Sequence, residues 1–230
     1  MPFSRANAKM AVAAVYDRRL GSPHTPAVAD RRNRRRPHAF TLIELLVVIV
    51  IIAVLMGVAF PVFQSVQTSA KKTQAKNDLV QIVTAVNAFY TEYGKYPTSA
   101  TSDATATYGP ANSNRALFDE LRAVTSAMNT RQIVFISPPD AKDPANPRGG
   151  IAGTTSGSAG QYFDPWGIAY SIRIDWDYDN QVTNPYTADT GAGPSPLRNG
   201  VIAWSQGKDQ RGGTGSKASA DAKDDVISWQ

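Results

Sequence analysis

The chemistry open to this chain is mostly that of oxygen ligands. There is no cysteine, and both histidines, His24 and His38, precede Phe40. From Phe40 onward, thiol nucleophiles, thiolate metal sites, His general bases and ordinary zinc centres are therefore excluded. Carboxylates remain. The most suggestive group lies near the C-terminus, in WSQGKDQRGGTGSKASADAKDDVISWQ. There a Gly-rich loop closes onto two adjacent acids. Calcium takes six to eight oxygens from carboxylates, carbonyls and water. Asp209 can supply one carboxylate and Asp224 or Asp225 another, while the loop turns carbonyls inward; the alternative is a solvated acidic loop. Asp175, Asp177 and Asp179 form a second, weaker metal candidate, D-x-D-x-D. It is not an EF-hand, because Asn180 stands where that loop needs Gly and Tyr186 where it needs Glu. Its plainer reading is the solvent face of a strand running into a turn. Trp166, Trp176, Trp204 and Trp229 read as packing residues rather than a binding platform.

A third carboxylate stands apart. Glu44 is the only charge between Phe40 and Phe60 in FTLIELLVVIVIIAVLMGVAF. A helix of about 21 residues at 1.5 Å per residue is about 30 Å long, enough to cross a bilayer core. A carboxylate inside such a span is costly and marks either a reach to the headgroups or a positive partner on a neighbouring copy.

The stretch FTLIELLVVIVIIAVL after a basic leader resembles the N-terminal signature of type IV prepilins and type II secretion pseudopilins. The resemblance implies cleavage between Ala39 and Phe40 by a prepilin peptidase, methylation of the new Phe40 amine, and an assembly role for Glu44, the fifth residue of the mature chain. Pro61 matches the family's helix-disrupting proline. Ala39 departs from the Gly usual before the cut. YTEYGKYPT, the DPWG turn with its Tyr-containing strand, and the C-terminal loop resemble the major pseudopilin of type II secretion. That likeness implies a calcium site in which Ser205, Gly207 and Asp209 match one segment, and Asp224, Asp225 and Trp229 the other. Gln210 and a longer insert replace the family's Gly and short loop.

Charge supports this organisation. Nine Arg/Lys and two Asp fall before Phe40, a balance of +7, so the formal net charge of +5 leaves −2 for the rest. A nucleic-acid surface on the mature part is not supported. Positive charge beside a span stays cytoplasmic, which puts the C-terminal part across the membrane.

The elements follow from pattern. Residues 1–39 read as a cleaved basic leader, 40–61 as a transmembrane and assembly helix, 62–93 as an amphipathic stalk and 94–230 as an extracytoplasmic β domain. In the stalk, Ala75, Leu79, Ile82, Val86, Phe89 and Tyr93 recur at helical spacing, with Val83 and Tyr90 alongside and Lys71, Lys72, Lys76 and Asp78 on the polar part. Gly94 is a C-cap candidate, and a kink or local melting is expected at Pro61. Beyond it, the sequence predicts loops at 98–114 and 138–160, a helix at 115–128, and strands at 132–136, 168–178, 201–204 and 225–229. The expected fold class is α+β: a long helix packed on a small antiparallel sheet, pilin-like.

The functional expectation is a non-enzymatic structural subunit of a type II secretion pseudopilus. It would self-assemble on an inner-membrane secretion platform, N-terminus cytoplasmic and C-terminal domain periplasmic. A type IV pilin is the alternative; a membrane-anchored binding or carboxylate-enzyme domain is the outsider.

Overall fold

The computed structural model describes residues 40–186, 190–212, 216–219 and 221–230. The leader expected at 1–39, including Ala39, lies outside the described residues. Helix α1 runs over Leu42–Tyr93. At its start Thr41 and Glu44 form a capping box. The Thr41 N–H and hydroxyl both donate to Glu44 Oε2 at 2.8 Å, and the Glu44 N–H donates back to Thr41 Oγ1 at 3.3 Å. The helix passes through Pro61 without the expected local melting. Its apolar residues from Leu42 to Phe60 are exposed. Among the described residues it is the one helix long and apolar enough to cross a membrane.

The stalk stripe packs as its spacing predicts. Ala75, Leu79, Ile82, Val86 and Phe89 have no exposure, Tyr93 and Val83 pack at the margin, and Tyr90 is exposed. Phe89 sits 4.6 Å from Tyr93 and 5.2 Å from Phe135, ring centre to ring centre. Asp78 departs from the expected polar face. It is buried and accepts the Tyr170 hydroxyl at 2.8 Å. Burial pushes its carboxyl up, and the Tyr170 hydrogen bond pulls it partly back. The helix ends where Gly94, at φ +66°, donates to the Tyr90 carbonyl, the left-handed cap that glycine tolerates best.

The rest is built on two antiparallel sheets. Strands β1 (Thr107–Tyr108), β4 (Ser171–Ile174), β5 (Val201–Ser205) and β6 (Val226–Ile227) lie in the order β1-β4-β5-β6. Strands β2 (Gly150–Ile151) and β3 (Tyr162–Phe163) make a separate pair. In the larger sheet Ser171 faces Trp204 and Ile174 faces Val201 across the register. This is the α+β architecture expected, with several corrections. The strand expected at 168–178 is only Ser171–Ile174. Its alternation fails because it is an inner strand covered on both faces: Ser171 is as buried as Ile172. Past Ile174 the chain turns, with Tyr178 and Asn180 at positive φ, so Trp176 and Tyr178 are exposed rather than buried. Asp175, expected to face solvent, is buried. The strand expected at 225–229 is confined to β6, and that at 201–204 extends to Ser205. The loops expected at 98–114 and 138–160 contain β1 and β2, and the second is not wholly exposed, since Gly150, Ile151 and Ala152 are buried.

Helix α2 is Arg115–Leu121, shorter than the 115–128 expected. Glu120 ends it. Its carboxylate accepts the Thr125 hydroxyl at 2.7 Å and the N–H groups of Asn129 at 2.8 Å and Met128 at 3.0 Å, curling the following chain back. Val124, expected on the buried side, is therefore exposed. The strand expected at 132–136 has no ladder partner; Phe135 and Ile136 donate instead to the Leu121 carbonyl. The buried Asn114 amide ties the start of α2 to β3 and to the residue that precedes β4. It donates to the carbonyls of Tyr162 and Tyr170 and accepts from the Tyr162 N–H, all at 3.0–3.1 Å.

Glu120 supplies a pH test. Burial pushes its carboxyl up, but the Thr125 hydroxyl and the backbone N–H donors outweigh this and hold it below the usual range. A lowered folded pKa contributes stability above the unfolded value and loses it as pH falls through the folded one. Glu120→Gln is expected to destabilise the detergent-solubilised full chain by about 1–3 kcal/mol at pH 7. The gap from wild type should narrow as pH falls through the acid range, read by thermal melting at pH 7 and at successively lower pH.

Candidate functional site

The C-terminal acids converge. Asp209, Asp224 and Asp225 each offer a carboxylate oxygen, and these atoms lie within 4.8 Å of one another. Bonds of 2.3–2.6 Å to a shared calcium span at most about 5 Å between ligands, so the spacing fits one ion. The exposures are graded: Asp209 is exposed, Asp224 half-buried and Asp225 buried. Asp225 follows a turn in which its N–H donates to the Ala222 carbonyl, and its Oδ2 accepts the Tyr186 hydroxyl at 2.6 Å. Burial first, and then that bond to Asp225, push the Tyr186 phenol up, so it stays a donor. Asp224 Oδ2 accepts the N–H groups of Lys208 and, at 3.1 Å, Asp209. Asp209 Oδ1 in turn accepts the Arg211 N–H at 2.9 Å.

A relay from the DPWG turn positions this loop. Asp164 is fully buried, and its Oδ1 accepts the N–H groups of Trp166, Gly167 and Ile168 at 2.8–3.0 Å. Its Oδ2 takes the Ser205 hydroxyl at 2.6 Å, and Ser205 Oγ accepts the Gly207 N–H at 3.2 Å. Burial pushes the Asp164 carboxyl up against these donors, which pull it down. Gly207 is at φ +68°, and a Cβ there would meet the Asp224 carbonyl oxygen at 2.6 Å and Oδ2 at 2.7 Å. Gln210 sits at φ +61°, the conformation that glycine adopts at no cost, and its amide donates to the Trp166 carbonyl at 2.7 Å. A side-chain tie to the DPWG turn thus accompanies the departure from Gly.

Of the other site residues, Asp175 and Asp177 come together, but Asp179 is not with them; the third carboxylate is Asp103. Asp179 instead accepts the Gln181 N–H at 2.8 Å. No local pattern singles out Asp103, which lies far from the D-x-D-x-D run. Trp166 and Trp204 are buried and Trp229 packs against the latter, as expected, whereas Trp176 is exposed. Phe40 and Glu44 are exposed at the start of α1.

Residues 34–60 match the profile of the prokaryotic N-terminal methylation motif. The type IV major pilin protein PilA of Myxococcus xanthus (strain DK1622) is 38% identical over 65 residues, which are 28% of this chain and 30% of the pilin. The type II secretion system core protein G of Pseudomonas aeruginosa (strain ATCC 15692) is 36% identical over 67 residues, 29% of this chain and 47% of that protein. The chain thus spans less than half the length of either relative. No solved structure matches. The chain is prepilin-like, similar both to a pilin and to a type II secretion protein.

The close approach at Gly207 makes a test of the loop. Gly207→Ala is expected to cost more than about 1 kcal/mol through its positive φ alone, and to push Asp224 away from Asp209. Chemical unfolding of the full chain in detergent should show the lower midpoint.

Proposed function

We propose that this chain is a structural subunit of a type II secretion pseudopilus. It is cut before Phe40 by a prepilin peptidase, methylated at the new amine and held in the inner membrane by its apolar helix. It then assembles on the inner-membrane platform into a helical filament, with the C-terminal domain on the periplasmic side. The observation that carries this reading is the methylation-motif match over residues 34–60, on a helix whose apolar residues from Leu42 to Phe60 are exposed. Neighbouring copies would cover them with each other in place of lipid. Glu44 would exchange its bonds to Thr41 for the Phe40 amine of a neighbour, and a pair shielded from water is costly to break by removing one member.

Calcium at Asp209, Asp224 and Asp225 belongs to the same reading. The ion would fix a Gly-rich loop that no disulfide can fix in a chain without cysteine. Asp209→Asn should lower calcium binding and abolish part of the calcium-dependent rise in melting temperature. Melting that ignores both calcium and chelator would sink that part of the proposal.

A type IV pilin is the second reading, favoured by the likeness to PilA. The absence of cysteine and the acidic C-terminal loop weigh toward the pseudopilus. The two separate on a deletion strain: a secretion defect supports the first, and loss of surface pili with normal secretion supports the second.

Two measurements test the common core. Intact mass spectrometry of the membrane-extracted protein should give a chain starting at Phe40 with one added methyl group; a mass that retains residues before Phe40 overturns the processing. Glu44→Ala should leave subunit in the membrane but abolish filaments, as seen by electron microscopy. Normal filaments from that variant would refute the pairing.

A further inference from the structure

We propose that Asp103, Asp175 and Asp177 form a second calcium site, separate from the C-terminal one, that fastens the turn after β4 to the segment before β1. Each residue offers an oxygen, and the three atoms lie within 4.8 Å of one another. One hard cation with bonds of about 2.3–2.6 Å reaches all three. The segments are already juxtaposed, since the Trp176 N–H donates to Asp103 Oδ1 at 2.7 Å.

An independent observation points to a ligand. Asp175 is only 2% exposed. Its Oδ2 accepts the Asn180 N–H at 2.7 Å, but its Oδ1 accepts nothing. A buried carboxylate oxygen without a donor is rare and costly. Here the groups that should compensate are two further carboxylates, which make the charge harder to hold. The other groups nearby do not neutralise it. Burial first, and then the Asp175 charge, push the Tyr96 phenol up to about 12, so it stays neutral. Arg173, on β4, senses Asp103, yet its guanidinium donates to Thr107 Oγ1 at 2.9 Å and the Thr183 carbonyl at 2.5 Å, and lies over the Trp204 ring. No ion pair joins it to any of the three acids among the described residues.

The donor set selects the ion. It is all oxygen, with no nitrogen or sulfur, which suits calcium or magnesium over transition metals. The ligands sit on irregular segments around a turn with two residues at positive φ, Tyr178 and Asn180. Such a frame suits the variable geometry of calcium better than the strict octahedron of magnesium, and water can complete the shell. A proton is the competing occupant: burial pushes the Asp175 carboxyl up, and Asp177 and Asp103 add to this against the N–H donors of Asn180 and Tyr178.

The test is equilibrium dialysis of radioactive calcium against the full chain in detergent at pH 7. Asp103→Asn with Asp177→Asn is made in the wild-type and in the Asp209→Asn background. The expected result is loss of one bound calcium per chain in both backgrounds, with helical circular dichroism unchanged. Because the Asp209→Asn background removes a ligand of the other site, failure there does not mimic failure here. Undiminished binding in both backgrounds overturns the proposal. So does a chain carrying Asp209→Asn whose melting temperature does not respond to calcium. If the double variant does not fold, terbium substituted into the Asp209→Asn chain supplies the readout. Trp176→Phe keeps all three carboxylates and should abolish tryptophan-sensitised emission; unchanged emission overturns the proposal.

Discussion

The structure depends first on one apolar stripe. Ala75, Leu79, Ile82, Val86 and Phe89 are wholly withdrawn from water, and the last four share one core with residues of α2, β4 and β5. Each fully buried large side chain contributes roughly 1.5–3 kcal/mol, and none of the short strands is long enough to stand alone. The two-residue strands β1 and β6 are therefore held by what they cover as much as by their ladders. Asp78 interrupts the stripe with a carboxylate, and Tyr170, the residue before β4, donates its hydroxyl to it. The Tyr170 and Tyr162 hydroxyls together keep this carboxylate partnered, and an unpartnered one in this place would cost more than a misplaced methyl group.

Asp164 does for the C-terminal loop what the stripe does for the helix. Its carboxylate organises the DPWG turn through three N–H groups and reaches Ser205 at the end of β5. From Ser205 the order passes to Gly207 and so to Asp224. The three C-terminal acids are thus aimed from a turn well before them in the chain. The loop's like charges converge because buried hydrogen bonds elsewhere hold their backbones.

Much of this was legible in the sequence, for identifiable reasons. The stalk announced itself because a 3.6-residue period over several turns is hard to produce otherwise. Gly94, the DPWG turn and β5 were legible because each has a local cause: a left-handed cap, an Asx turn, a run of buried residues. Strands β1, β2 and β3 were not, since two residues carry no period. The end of α2 was hidden because Glu120 is a good helix former whose side chain, three hydrogen bonds later, reverses the chain. The Asp209, Asp224 and Asp225 grouping was readable through resemblance. Asp103 was not, because nothing local links it to Asp175; only the pairing of β1 with β4 brings them together.

The larger sheet is also a partition. Along β5, Val201 and Ala203 belong to the core shared with the helix, while Ile202 and Trp204 belong to a second core with Val182, Tyr186, Leu197 and Ile227. Neighbouring residues on one strand thus answer to different surroundings. Substitutions around Ile202 and Trp204 meet a set of neighbours different from that around Val201 and Ala203. Such a molecule can vary its outward-facing loops while the helix-side packing stays as it is, so diversification of one layer need not disturb the other.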